Sequence, residues 1–252
     1  AVALVVSGGA TVGQITDEAG RTFFNPDGSE NKNAATRIPL SSRLYPLVQA
    51  RPVLRQPLNV RLPQLKAPTN APTIFVFSNA AGKSLQVSLA GVGEKQCSFY
   101  QPGMALASRA SGEGQIQLSG ILQPAFAVEV MDPAALQLSG VRLIRSTPGG
   151  DRVFDLQNLR GLDAQTLHLA PLRDGRQLAV QGGPGLQFDV GLEGPVGQGA
   201  GIRSFTNVSL QANAKTLVQP VNWHELGTTR LQIQLRNLQN NNLINRTTVD
   251  GQ

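Results

Sequence analysis

Glycine and proline interrupt this chain too often for long helices. The 252 residues carry 27 glycines and 16 prolines, and each proline removes a backbone donor and pushes the residue before it out of helical geometry. Between these interruptions the apolar residues fall in short runs or strict alternation, the period of a half-buried strand. Thr73 to Phe77 and Ser84 to Leu89, with the turn-like 78–82 between them, predict a hairpin whose second strand turns Leu85, Val87 and Leu89 to one face. Leu231-Gln-Ile-Gln-Leu235 is the cleanest alternation, with Leu231, Ile233 and Leu235 inward. Further strands are expected at 96–100, 115–118, 126–130, 141–144, 152–156, 165–169, 177–180, 186–190, 203–210, 216–219 and 229–235. The opening runs Val2 to Val6 and Val12 to Ile15 read as a strand or hairpin, and Asn25-Pro-Asp-Gly-Ser29 as a turn. Residues 29–36 read as exposed loop and 237–242 as a break in pairing.

Turns between most of these strands recur at roughly 8 to 15 residues, the spacing of a sandwich or barrel. The expected class is therefore all-β, an antiparallel β-sandwich of jelly-roll type. A β-solenoid is the alternative, because Gln117-Leu-Ser-Gly120, Gln137-Leu-Ser-Gly140 and Asn158-Leu-Arg-Gly161 end alike at intervals near 20 residues; the interval then lapses. Charged residues make up only 15% of the chain, below the roughly 25% of ordinary soluble domains. Such a charge-poor surface suits pleated strands or large areas covered by other subunits.

Positive charge is local. Between Glu30 and Glu94 no acidic residue occurs, while Lys32, Arg37, Arg43, Arg51, Arg55, Arg61, Lys66 and Lys83 supply eight of the cations behind the net charge of +6. Within that stretch Pro39, Pro46, Pro52, Pro57, Pro63, Pro68 and Pro72 exclude a helix, and leucines and valines between them set it apart from a polar linker. It reads as an extended arm that lays apolar side chains against a neighbouring surface. The expected contacts are Arg37, Arg43, Arg51, Arg55, Arg61, Lys66, Leu54, Leu58 and Leu62. The corresponding division is 1–72, strand segment and arm, and 73–252, the β-sandwich.

Motifs for catalysis are weak. Gly82-Lys83-Ser84 follows a strand like a phosphate loop, but Phe77 stands where that loop needs glycine and the next residues have strand period. The glycine-rich 191–201 lacks the strand-turn-helix setting of a dinucleotide site. Two histidines and Cys97 are a thin set for zinc; His168 alternates away from Leu167 and Leu169 and should face outward. No Gly-x-Ser-x-Gly elbow occurs, and Asp151 and Asp155 have arginines near enough for ordinary ion pairs. The expectation is no enzyme, no cofactor and no metal. Trp223-His224-Glu225 stands apart, since the sole tryptophan beside an imidazole is a candidate ligand contact, with capping of the core edge as the plainer role.

No apolar run approaches the length of a transmembrane helix, and Ala1 is the kind of small residue left by Met removal or signal cleavage. An arm preceding a β-domain looks like viral coat proteins at the level of architecture. The expected function is thus a non-enzymatic structural subunit of a symmetric assembly, a virion capsid or tail-associated protein. Its partners would be copies of itself and other assembly subunits, with nucleic acid or lipid headgroups facing the arm's arginines. The alternative is an extracellular or cell-surface protein that binds carbohydrate or belongs to a surface layer or fibre.

Overall fold

A computed structural model describes residues 2–8, 11–44, 73–77, 85–90, 93–112, 116–119, 126–130, 136–161, 166–194 and 202–251. These form strands β1 (Val2–Gly8), β2 (Thr11–Asp17), β3 (Ser41–Leu44), β4 (Thr73–Phe77), β5 (Leu85–Ala90) and β6 (Lys95–Gln101). The chain continues through β7 (Met104–Gly112), β8 (Ile116–Ser119), β9 (Phe126–Val130), β10 (Leu136–Thr147), β11 (Gly150–Arg160) and β12 (Thr166–Leu172). It ends with β13 (Gln177–Gln181), β14 (Gln187–Glu193), β15 (Ile202–Ser209), β16 (Ala214–Pro220), a short 3-10 helix (Trp223–Thr228), β17 (Arg230–Asn237) and β18 (Leu243–Asp250).

The fold is nearly all β, in two open antiparallel sheets of nine strands. The first runs β15-β14-β11-β10-β7-β6-β1-β4-β3 and the second β18-β17-β16-β13-β12-β9-β8-β5-β2. From β6 onward the chain places a pair of strands in one sheet, crosses, and places the next pair in the other. Each new pair docks on the previous pair of its own sheet, as β7 meets β10 and β9 meets β12. Spatial order therefore follows chain order. No late strand lies beside an early one, so the described order does not display the interleaving of a jelly roll. Every pairing between named strands is antiparallel, unlike the coil of a parallel β-helix.

Register explains why the apolar alternation suffices to hold the sheets. Across seven strands of the first sheet, Phe75, Leu4, Phe99, Leu106, Leu143, Phe154 and Leu192 stand opposite one another in turn, and all are nearly inaccessible. In the second sheet Ile15, Val87, Leu118, Val128 and Leu167 are register partners in turn. Buried residues of both sheets join one apolar cluster. A one-residue slip in any strand would send its row to the other face, so the pattern fixes the register.

The predicted hairpin at 73–89 is corrected. Its two strands exist, but β4 pairs with β1 and β3 in the first sheet while β5 pairs with β2 and β8 in the second. Two amphipathic strands in succession bury their apolar faces equally well side by side or opposed, and local alternation does not distinguish the two. The opening strands behave alike, since β1 and β2 also lie in different sheets. β1 is moreover an interior strand, between β4 and β6, so the first residues are built into the same sheets as strands beyond residue 72. The sequence reading also missed β7 and β18. In β7 half of the inward row is small or polar (Ser108, Ala110), and the first five residues of β18 are exposed, so neither carries a strong apolar signal.

Between β2 and β3 the chain plugs one end of the stack. Phe23 is fully buried, its ring edge-on to Phe24, Phe75 and Phe77 at 4.9, 5.1 and 6.2 Å. Its N–H donates to Ile15 O at 2.9 Å and its carbonyl accepts from Asn31 N at 2.8 Å. The expected turn closes with Gly28 N donating to Asn25 O at 2.9 Å. Of the loop 29–36, Asn31 alone is buried.

Candidate functional site

A cavity of about 490 Å³ opens where the β12–β13 loop, β11 and the segment after β16 converge. The loop is Arg173-Asp-Gly-Arg176. Arg173, Asp174 and Gly175 all take left-handed backbone angles, with φ of 52°, 54° and 74°. For the two non-glycine residues this costs about 1 kcal/mol or more each. At Gly175 glycine is required twice over, because a Cβ there would come within 2.6 Å of the Arg145 side chain. The strained loop presents two carbonyls to its surroundings: Asp174 O accepts from Arg152 Nη1 at 2.9 Å, and Arg176 O accepts from Trp223 Nε1 at 2.9 Å.

Trp223 is half-buried. Its ring lies edge-on to Phe154 at 5.5 Å and packs against the main core, while the Arg152 guanidinium sits 5.7 Å from its centre. It therefore caps the core edge and lines a cavity at once. His224 and Asn222 complete that wall, with Asn222 Oδ1 accepting from His224 N at 2.9 Å. The lining residues include three arginines, 152, 173 and 176, and one carboxylate, Asp174. The Arg152 guanidinium is held below its ordinary pKa, first by burial and then by repulsion from Arg176, with Asp174 acting the other way. Its Nε is buried and meets no acceptor among the described residues.

From this cavity a row of amides crosses the second sheet. Gln177 Nε2 donates to Gln219 Oε1 at 3.0 Å, Gln219 Nε2 to Gln232 Oε1 at 3.0 Å, and Gln234 Nε2 to the same Gln232 oxygen at 2.8 Å. Arg236 Nη2 closes the row on Gln234 Oε1 at 3.3 Å. The row exists because β13, β16 and β17 are neighbours in register, with Gln219 opposite Gln232.

No protein-family model, curated protein or solved structure matches this chain.

Of the residues singled out in the sequence, Trp223 and His224 share the cavity. Arg37 is engaged within its own chain: Nη2 lies 2.8 Å from Glu30 Oε1 and donates to Ser41 O at 2.5 Å, and the guanidinium sits 5.5 Å from the Phe23 ring centre. Arg43 lies 5.8 Å from the Phe75 ring centre. Arg51, Leu54, Arg55, Leu58, Arg61, Leu62 and Lys66 lie outside the described residues, as do Gly82-Lys83-Ser84 and 195–201 of the glycine-rich run. His168 is exposed, opposite in direction to buried Leu167 and Leu169. Asp155 Oδ2 is 3.6 Å from Arg142 Nη1, and Arg142 Nη2 reaches Glu193 Oε2 at 2.6 Å. Among the described residues no group of three His, Cys, Asp or Glu side chains gathers as a metal site would require. No described helix is long and apolar enough to cross a membrane.

Sequence reasoning missed Arg152, Arg173, Arg176 and Gln219. The signal for two of them was available, since Asp174-Gly175 is a turn pair flanked by arginines between two expected strands. Arg152 and Gln219 carried none, because only the packing of the sheets brings β11 and β16 to that loop.

Proposed function

We propose that this chain is a non-enzymatic structural subunit of a multi-copy assembly, a virion capsid or tail-associated component. In this reading the two sheets are the layers of a β-sandwich, and the Pro-rich residues 45–72 reach a neighbouring subunit. The observation that carries it is the contrast between the ends of the stack. One end is plugged by Phe23 and its partners, whereas the other finishes in β18, an eight-residue edge strand with Leu243 and Ile244 at 45% and 53% exposure. A long, uncovered edge offers a row of backbone donors and acceptors to another chain, and natural proteins ordinarily shield such edges. Contact between unlike ends is heterologous and builds rings or filaments.

Residues 45–72 support the same reading by where their anchors lie. Leu44 and Ile74 are register partners, so the segment leaves and re-enters at the β3–β4 margin of the first sheet, at the opposite end from β18. Its four cations, Arg51, Arg55, Arg61 and Lys66, and its leucines suit a contact surface that faces acidic or apolar neighbours.

Size-exclusion chromatography with light scattering, followed by negative-stain imaging at high concentration, tests the proposal. Rings, shells or filaments are expected. Replacing 45–72 with a short Gly/Ser linker should preserve the circular dichroism spectrum and abolish these particles. A monomer at every concentration, or unchanged particles from the replaced protein, would overturn it.

A further inference from the structure

We propose that the Trp223 cavity is a binding site for an acidic saccharide, a uronate-bearing oligosaccharide, with Arg173 and Arg176 holding its carboxylate and the Gln219–Gln232 amide row receiving its hydroxyls. This is independent of the assembly reading, since the site lies on one subunit.

Charge selects the ligand's sign. Arg176 repels the Arg152 guanidinium, and an anion held among the lining arginines would relieve that repulsion. A planar guanidinium also matches a carboxylate's two oxygens. The backbone strain in Arg173 and Asp174 sits in the loop that aims these groups, where strain stored for function is found.

Size and lining then select the class. About 490 Å³ lies within the range of small-molecule sites and far exceeds what a lone oxyanion fills. Pro220, exposed Val221 and the Trp223 ring offer apolar faces for the C–H side of a sugar ring, while Gln219 and Asn222 offer amides for its hydroxyls. A nucleic-acid strand fits less well. It carries a phosphate on every residue and calls for a continuous basic groove with stacking rings. Here the track leaving the cavity is a row of neutral glutamines that ends at one cation, Arg236.

Trp223 is the sole tryptophan, so its emission reports on the cavity directly. Titrating the full chain with tetragalacturonate should give a saturable change in emission. The neutral tetragalactose should bind at least about tenfold more weakly, a difference of one charged contact. R173Q/R176Q, at two exposed side chains whose backbone bonds are kept, should weaken tetragalacturonate about tenfold or more without moving the melting temperature. W223F with unchanged melting, followed by calorimetry, should also weaken it. Equal affinity for the neutral sugar would overturn the proposal. So would undiminished binding by R173Q/R176Q, no saturable change up to about 10 mM ligand, or displacement of tetragalacturonate by a short oligothymidylate at lower concentration.

Discussion

The two ends of the stack are closed by different chemistry. At the first, residues 18–40 bury Phe23, Phe24 and Ile38 in the apolar cluster that both sheets share, the Phe23 ring meeting Phe75 and Phe77. At the second, polar straps lie over buried Leu226 and Phe205: Arg203 of β15 donates from Nη2 to Gly251 O at 2.7 Å and from Nη1 to Gly227 O at 3.0 Å. A Cβ at Gly251 would lie 2.4 Å from Arg203 Nε and 2.9 Å from the Phe205 ring, so a larger residue there would displace the strap. Beyond the straps β18 remains largely uncovered. In a fold that grows strand pair by strand pair, the terminal units need caps to stay soluble. This one has a cluster of aromatic rings at one end, and at the other buried Leu226 and Phe205 with the Arg203 straps over them.

The largest effect expected from breaking this asymmetry is at the plug. Phe23→Ala removes a ring touching three others and should cost about 3–5 kcal/mol, read as a lowered urea midpoint with an unchanged slope. A loss below about 1 kcal/mol would mean that the plug is ornamental to stability and the two ends are alike.

A smaller effect is expected at Asp189, which ties β14 to both its neighbours. It accepts from Asn158 Nδ2 at 2.7 Å and Asn207 N at 3.0 Å, with Arg160 Nη2 at 3.5 Å. Burial works to raise its pKa, but these hydrogen bonds and the Arg160 charge prevail and hold it below the ordinary carboxylate value. A carboxylate depressed in the folded state contributes stability above its unfolded pKa and loses it as pH falls through the lowered native one. Asp189→Asn should therefore cost about 1–2 kcal/mol near neutrality, and its difference from wild type should shrink as pH drops below about 4. A difference that stays constant from neutral to strongly acid solution would rule out the ionic part.

The smallest stability effect belongs to the open edge. Leu243→Ser with Ile244→Ser should change the unfolding free energy by no more than about 0.5 kcal/mol, as exposed side chains do, yet reduce self-association in sedimentation velocity. Unchanged association would separate β18 from the assembly surface.

Most of the strands were legible from alternation and turn residues, and Phe126–Val130 was placed to the residue. What misled was adjacency. Thr73 to Phe77 and Ser84 to Leu89 follow one another as hairpin partners would, but β4 and β5 find their partners in different sheets. β7 and β18 were missed for opposite reasons, the first because Ser108 and Ala110 dilute its inward row, the second because it has almost no inward row. At the site, Trp223 and His224 stood out through rarity and neighbourhood. The arginines did not, since an arginine in a turn is ordinary until a second strand brings another beside it.

Local chain chemistry determined that this protein is built of short strands, which face of each is apolar, and that helices have little place in it. Those properties depend on residues within one or two turns of each other. Which strand pairs with which, that pairs alternate between two sheets, and that residues 152, 176, 219 and 223 share one cavity were decided by the tertiary structure. An apolar face is indifferent to the identity of the surface that covers it, so only the simultaneous burial of all the faces selects one arrangement.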